Sequence, residues 1–144
     1  MKPLFYLVFY LFLGGLNAQW HESFEEVVQI ASEEDKPIIL VFSGSDWCAP
    51  CIKLKRKIWE SEEFKTYAVS HYVLYNADFP RKKKNRLPMN QMNQNKSLAE
   101  KYNIQGHFPL VVILDQQESV LGKVGFDTKA TPKTYISMLN SFIK

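Results

Sequence analysis

The segment SDWCAPC contains the only two cysteines of the 144-residue chain, Cys48 and Cys51. Pro50 lies between them, and because proline is tolerated in the first turn of a helix but not in its interior, a helix is expected to begin near Cys48. Cys48 would lie at the positive end of that helix, where the pKa of a thiol falls from about 8.5 toward 3.5–7.5. Cys51 would lie one turn inward, on the apolar face. The spacing therefore predicts an attacking thiolate at Cys48 and a resolving thiol at Cys51.

Other uses of the cysteine pair fit the sequence less well. A structural disulfide gains most from closing a long loop, and this loop is very short. A zinc site needs four ligands, but the chain adds only His21, His71 and His107 and has no second CxxC or HxxxH pair. A c-type haem attachment requires histidine directly after the second cysteine, where this chain has Ile52. We therefore expect redox chemistry without a metal or an organic cofactor.

The elements around the cysteines predict an α/β fold. The apolar run IILVF (38–42) is typical of a buried central strand, and SFEEVVQIASEE before it has a helix-capping pattern at Ser23 and Glu26. A charged helical stretch, CIKLKRKIW, follows the strand. Further along we expect a strand at 72–79, a long polar loop at 80–95, a short helix at 97–103, a strand at 109–114, an edge strand at 119–126 and a final helix from 131. This order indicates a mixed central sheet with helices on both faces.

The start of the chain has the pattern of a secretory signal peptide. A charged residue precedes ten apolar residues, Leu4 to Leu13, and a small residue follows at Ala18. Ten residues are too few for a membrane-spanning helix, which needs roughly 20. We expect a signal peptide at 1–18, cleaved after Ala18, and one exported domain at 19–144 in the periplasm or outside the cell. The alternative is an uncleaved anchor, because Leu16 is bulky for a cleavage motif.

Composition excludes two broad classes of protein. Apolar residues make up 46% of the chain and aromatic residues 14%, which is far more than a disordered chain contains. The formal charge of +3 falls to +2 without Lys2, and no nucleic-acid-binding motif is present, so we expect no nucleic-acid partner. The densest charge lies in Arg81 to Arg86. We expect a solvated loop there, with docking to an acidic partner or an anionic membrane as the alternative.

Together these segments resemble the thioredoxin superfamily. The resemblance is carried by IILVF before WCAPC, the charged helix after it, the strand YVLYNAD and the segment LAEKYNIQGHFPLVVILD. It extends over residues 23–144 with the pieces in the expected order. The nearest type is the small exported thioredoxin-like proteins with sites similar to SGSDWCAPC. A thioredoxin-like fold is therefore expected.

The resemblance implies a role for each matching residue. Cys48 would be the attacking cysteine, Cys51 the resolving cysteine and Pro109 a cis-proline. Trp47 would flank the site and contact substrate. The backbone at Phe108 would lie near the sulfurs, where an extended substrate can pair as an added strand.

One position departs from the family pattern. Typical thioredoxins carry a buried aspartate six residues before the first cysteine, where it moves the proton of the resolving thiol; here that position is Phe42. The proton of Cys51 would then need another route, such as water. Asp46 is expected at the surface near Cys48, where its negative charge would raise the pKa of that thiol.

The activity that the resemblance implies is thiol–disulfide exchange on exported proteins, in the direction of disulfide reduction. Because compartments outside the cytosol are oxidising, a membrane-bound electron donor is an implied partner. The protein is expected to be a monomer. A disulfide oxidase or isomerase is the alternative enzyme, although Ala49 and Pro50 stand where typical oxidising relatives have a histidine. A non-catalytic interaction module that uses the basic loop is the alternative from another class.

Overall fold

A computed structural model describes residues 19–144, and the expected signal peptide lies outside them. The strands are β1 Trp20–His21, β2 Ile38–Ser43, β3 Val73–Asp78, β4 Leu110–Leu114 and β5 Val120–Val124. They form one sheet in the order β1-β3-β2-β4-β5. β2 is parallel to β3 and antiparallel to β4, while β1 is parallel to β3 and β5 is antiparallel to β4. The mixed sheet and the edge position of β5 confirm the sequence expectation.

Five α-helices of residues 19–144 surround the sheet. They are α1 Phe24–Glu34, α2 Ala49–Leu54, α3 Glu62–His71, α4 Met89–Tyr102 and α5 Pro132–Asn140. α2 continues as a π-helical turn, Lys55–Trp59, and a 3-10 turn at Lys83–Asn85 precedes α4. The side chains of Ser23, Ser61 and Thr131 cap α1, α3 and α5 by accepting a backbone N–H. Each cap satisfies a donor that the helix itself leaves unpaired.

The sheet separates two apolar cores. Ile38, Leu40 and Phe42 of β2 face α1 and α4, whereas Ile39 and Val41 face α2, α3 and α5. Every residue of β2 is buried, as expected for a central strand covered on both faces. Burying one such side chain contributes about 1.5–3 kcal/mol. The segment that carries the cysteines therefore follows the most buried strand of the molecule.

α4 is longer than the sequence predicts. We expected a loop at 80–95 and a helix from 97, but the helix begins at Met89. The segment looks like a loop because it is polar, yet its amides pair with distant groups. Asn95 is fully buried; its side chain accepts from the Tyr75 hydroxyl at 2.5 Å and donates to the Asp78 carbonyl at 3.0 Å. Gln94 accepts from the backbone N–H of Phe24 at 3.0 Å.

Two further elements were absent from the expected order. The first is α3, whose apolar pattern is weak. The Ser61 cap and the burial of Phe64 and Ala68 in the second core stabilise this helix. β1 has only two residues, which pair with Leu74 and Tyr75 of β3. Within residues 19–144, no helix is both long enough and apolar enough to cross a membrane.

Candidate active site

The cysteine pair lies between the end of β2 and the start of α2. Cys48 is the N-cap residue of α2, and its sulfur accepts the backbone N–H of Cys51 at 3.3 Å. The two cysteines form a disulfide, with their Cα atoms 5.2 Å apart. Their residues are only 5% and 4% exposed. The expected helix start at Cys48 and the inward position of Cys51 are both confirmed.

Asp78, the last residue of β3, positions the loop that leads to the cysteines. Its carboxylate accepts from the Ser45 backbone N–H at 2.8 Å, from the Ser45 hydroxyl at 2.5 Å and from the Phe79 N–H at 3.0 Å. A side chain at Gly44 would overlap the indole ring of Trp47, so this position requires glycine. The loop is thereby fixed from the neighbouring parallel strand.

Three aromatic residues form one flank of the site. The Trp47 indole donates from Nε1 to the Phe79 carbonyl at 2.7 Å. The Phe108 ring lies edge-on to both, with centroids 5.4 Å from Trp47 and 5.6 Å from Phe79. The Arg81 guanidinium lies 3.8 Å from the centre of the Trp47 ring, in a cation–π arrangement. Trp47 and Phe108, which sequence analysis assigned to the site separately, are in contact.

The segment before β4 is held by a buried amide. The Phe108–Pro109 peptide bond is cis, as the resemblance implied. Asn103 is 5% exposed; its side chain accepts the backbone N–H of His107 and donates to the carbonyl of the same residue, both at 2.9 Å. Gly106 has a φ of 69°, a backbone conformation that glycine adopts without strain. Asn103 thus shapes the turn that presents Phe108 and Pro109.

A cavity of about 430 Å3 adjoins Cys51 and Pro109. Its polar lining includes Ser43 and Asn76, whose side chains are joined by a hydrogen bond of 2.7 Å from the hydroxyl to the amide oxygen. Lys55, Glu60 and Lys65 also line it, and the apolar part of the lining includes both Trp20 and Trp59. Phe42 is instead fully buried in the first core, on the other face of the sheet. Cys51 therefore adjoins a cavity whose lining is mostly apolar and includes several polar and charged groups.

The Asp46 carboxylate is hydrogen-bonded to the loop that follows β3. Its carboxylate accepts the backbone N–H groups of Arg81 and Lys82, each at 2.9 Å, and the Asn85 amide at 3.0 Å. These hydrogen bonds, first of all the one from Arg81, lower the pKa of Asp46 to about 2. The half-exposed carboxylate expected near Cys48 thus serves to fix residues 81–85.

Several residues that build this site were not predicted from the sequence. Asp78, Asn76 and Phe79 were treated only as part of a strand, and Asn103 as the end of a helix. A usable signal was present for the first two, because the carboxyl ends of adjacent parallel strands meet at one edge of a sheet. Polar residues at the end of β3 would then be expected beside the segment after β2. Nothing in the local pattern marked Asn103 or Phe79.

Comparisons with known proteins include the region of the site. A family model described as thioredoxin-like matches residues 19–116, which contain the cysteine pair and Pro109. The chain is 36% identical over 132 residues to the disulfide bond reductase DsbH of Chlamydia pneumoniae, covering 92% of this chain and 76% of that protein. It is 28% identical over 106 residues to the thioredoxin-related protein DsbJ of the same organism, covering 74% of this chain and 30% of that protein.

Solved structures show the same likeness in three dimensions. A structure named DsbH oxidoreductase superposes with a TM-score of 0.81 at 35% identity, covering 88% of this chain and 85% of that chain. A thioredoxin from Thermus thermophilus superposes with a TM-score of 0.63, covering 87% and 86% of the two chains. Its identity is 12%, so that likeness concerns the fold alone.

Proposed function

Because this chain belongs to the thioredoxin-like family, we propose that it is a thiol–disulfide oxidoreductase that reduces disulfides of other proteins. The observation that carries the proposal is the disulfide between Cys48 and Cys51 at the start of α2. Only one bond joins the two cysteines, which lie three positions apart. That bond can be broken and reformed without moving the rest of the fold. A related protein, 36% identical, is named a disulfide bond reductase.

The first step is attack by the reduced form. The Cys48 thiolate attacks one sulfur of the substrate disulfide, forming an intermolecular disulfide and releasing the other substrate sulfur as a thiolate, which takes a proton from water. At the N-terminus of α2, backbone N–H groups and the helix dipole stabilise the negative charge on Cys48. The N–H of Cys51, which contacts the Cys48 sulfur at 3.3 Å, is one such donor.

The second step releases the product. Cys51 loses its proton, attacks the sulfur of Cys48 and forms the Cys48–Cys51 disulfide, while the second substrate sulfur leaves as a thiolate and is protonated. The substrate gains two electrons and the dithiol loses two. Ser43, Asn76 and Glu60 in the lining of the cavity beside Cys51 support water there as the acceptor of the proton, because Phe42 supplies no carboxylate. No metal or organic cofactor takes part in these steps.

Substrate contact is assigned to Trp47, Phe108 and Pro109. The contact between the Trp47 and Phe108 rings and the location of Pro109 at the Cys51 cavity support this assignment. An extended substrate segment would pair with the backbone before Pro109 and pack on the aromatic flank. Such pairing is independent of most side chains of the substrate.

The compartment and the partners follow from the same chemistry. We assign the protein to the periplasm or the outside of the cell, with cleavage after Ala18, and its substrates to exported proteins that contain disulfides. A protein that reduces disulfides in such an oxidising compartment must itself be reduced again after each cycle. A membrane-bound electron donor is therefore proposed. We propose a monomer, and we assign no nucleic-acid partner. Mass spectrometry of the exported protein should find Gln19 as the first residue; an intact N-terminus in the membrane fraction would instead indicate an anchor.

The direct test is a reduction assay with a disulfide-containing protein and dithiothreitol as the electron source. The protein should accelerate reduction, and Cys48→Ser should abolish the acceleration because the attacking thiolate is lost. Cys51→Ser should accumulate the intermolecular disulfide, visible as a covalent complex on a non-reducing gel. Binding of the substrate that persists in both variants, with no acceleration by the original protein, would indicate a non-catalytic interaction module instead.

A further inference from the structure

Six cations lie close together beside the site. We call them the basic surface; it consists of Arg81, Lys82, Lys83, Lys84, Arg86 and Lys96. Within residues 19–144, none of the six forms an ion pair with a carboxylate. The other 11 Lys and Arg residues of this region are outnumbered by 15 Asp and Glu residues. Positive charge is therefore concentrated at this surface and is not a property of the whole molecule.

The basic surface is attached to the site at two points. Asp46, two residues before Cys48, holds the backbone N–H groups of Arg81 and Lys82 at 2.9 Å. The Arg81 guanidinium lies 3.8 Å from the centre of the Trp47 ring. Because the Asp46 carboxylate is occupied by these backbone donors, the side chains of the neighbouring cations remain available. The backbone at Arg81 and Lys82, and the Arg81 side chain, thus have a fixed position relative to the cysteine pair.

A groove of about 340 Å3 runs between this loop and α4. Apolar groups in its lining include Phe79, Pro80, Leu87 and Met92, and members of the basic surface line it as well. Phe79 is also part of the aromatic flank, so the groove is continuous with that flank. A concave surface with apolar and cationic lining fits a peptide segment that carries acidic side chains. A flat membrane surface would touch only the outermost cations.

We propose that the basic surface docks acidic segments of substrate proteins, so that disulfides flanked by Asp or Glu are reduced in preference to others. This inference rests on the proposed function and names its substrate class. Charge complementarity of this kind acts mainly on the rate of association and is weakened by salt. The apolar lining adds contact once the segment has docked.

The test uses three peptides with the same disulfide-closed ring and flanks that are acidic, neutral or basic. The second-order rate of their reduction by the reduced protein is measured by stopped flow. At about 0.01 M ionic strength, where charges interact over roughly 30 Å, the acidic peptide should react about tenfold faster than the basic one. At about 1 M, where the range is about 3 Å, the three rates should agree within about twofold.

Matched variants assign the effect to the basic surface. The triple variant Lys82→Gln, Lys83→Gln and Arg86→Gln should lose most of the preference for the acidic peptide. A control with the same change in net charge neutralises Lys129, Lys133 and Lys144, which lie before, within and after α5, a helix that packs on the opposite face of the sheet from α4. The control should keep the preference. Equal rates for all peptides, or equal effects of the two triple variants, would overturn the proposal.

Two other outcomes separate this proposal from its alternatives. If no peptide is reduced, the proposed function fails, and the affinity of the oxidised protein for the acidic peptide, measured by tryptophan fluorescence, still decides the docking surface. Affinity that the first triple variant lowers at least fivefold and the control leaves unchanged supports docking; equal affinity overturns it. Binding to vesicles of anionic lipid that depends on the same cations, without any preference among the peptides, would assign the surface to a membrane and overturn the proposal.

Discussion

Cys48 and Cys51 have different surroundings although only two residues separate them. Cys48 caps α2 and lies in the segment that follows Trp47, whereas Cys51 faces inward and adjoins the cavity that Ser43 and Asn76 help to line. An attacking thiol benefits from helix N–H donors, and a resolving thiol benefits from protection until the intermolecular disulfide has formed. This difference at the scale of single residues supports the two roles proposed for Cys48 and Cys51.

Asp46 provides a test of how the loop after β3 is fixed. Its pKa in the folded protein is about 2, below the ordinary value of 3.8, so its hydrogen bonds stabilise the loop fully above about pH 4. That stabilisation is lost as the pH falls from about 4 through 2, because protonation weakens the acceptor. The amide NMR signals of Arg81 and Lys82 should therefore titrate with a midpoint near 2. Asp46→Asn should remove the titration, and a midpoint near 4 in the original protein would contradict the account.

Among the secondary-structure elements, β2 and β3 do most to place the site. The segment that carries the cysteines follows the end of β2, and Asp78 at the end of β3 holds that segment through Ser45. The turn before β4 completes the arrangement with Pro109. The turn itself depends on Asn103, whose two hydrogen bonds go to the same residue, His107.

Asn103→Ala should therefore destabilise the protein and disturb substrate contact. The substitution leaves the backbone N–H and carbonyl of His107 without their buried partner, which costs on the order of 1–3 kcal/mol. Urea denaturation should show this loss in the free energy of unfolding. Asn90→Ala, on the exposed first turn of α4, is the matched control and should cost much less. Equal losses for the two variants would show that the Asn103 side chain does not hold the turn.

The cavity between β2, β3 and α2 supports a prediction about the proton of Cys51. Asn76→Leu keeps a side chain of similar size but removes a polar lining group, which makes the surroundings of the Cys51 thiol more apolar. The pKa of the Cys51 thiol in the reduced protein should rise, because burial in apolar surroundings disfavours the thiolate. Release of product from the intermolecular disulfide should slow, with its pH–rate profile displaced upward. Asn90→Leu is the control, and an unchanged profile in Asn76→Leu would exclude the cavity as the proton route.

The sequence was informative where structure is local and less so where it depends on distant contacts. The helix start at Cys48, the burial of β2 and the Ser23 cap each follow from a pattern within a few residues. α4 was predicted too short because its polar first half is held by Tyr75, Asp78 and Phe24. Asp78 and Asn103 gained their roles through the arrangement of strands and turns, which single-residue patterns do not specify. The role of Pro109 as a cis-proline of the site was predicted from the resemblance to thioredoxins and not from periodicity.

At the scale of the whole molecule, the cysteine pair and the basic surface lie close together. The fold buries a core on each side of the sheet and leaves the cysteine pair at the edge where β2 ends. Most of the basic surface lies in the loop that follows β3, beside the cysteine pair. The remaining charged residues have a negative net charge. A charge distribution of this kind orients a charged partner before contact. The aromatic flank would then receive a substrate that already faces the disulfide.

The most direct test of the central claim is the reduction potential of the Cys48–Cys51 pair, measured by equilibration in thiol buffers of known potential. A reductase should give a value near that of thioredoxin, about −270 mV. A value near −120 mV would indicate an oxidant and contradict the proposed direction of electron flow. A pair that stays oxidised in every buffer would make the bridge structural, and the enzyme assignment would fail.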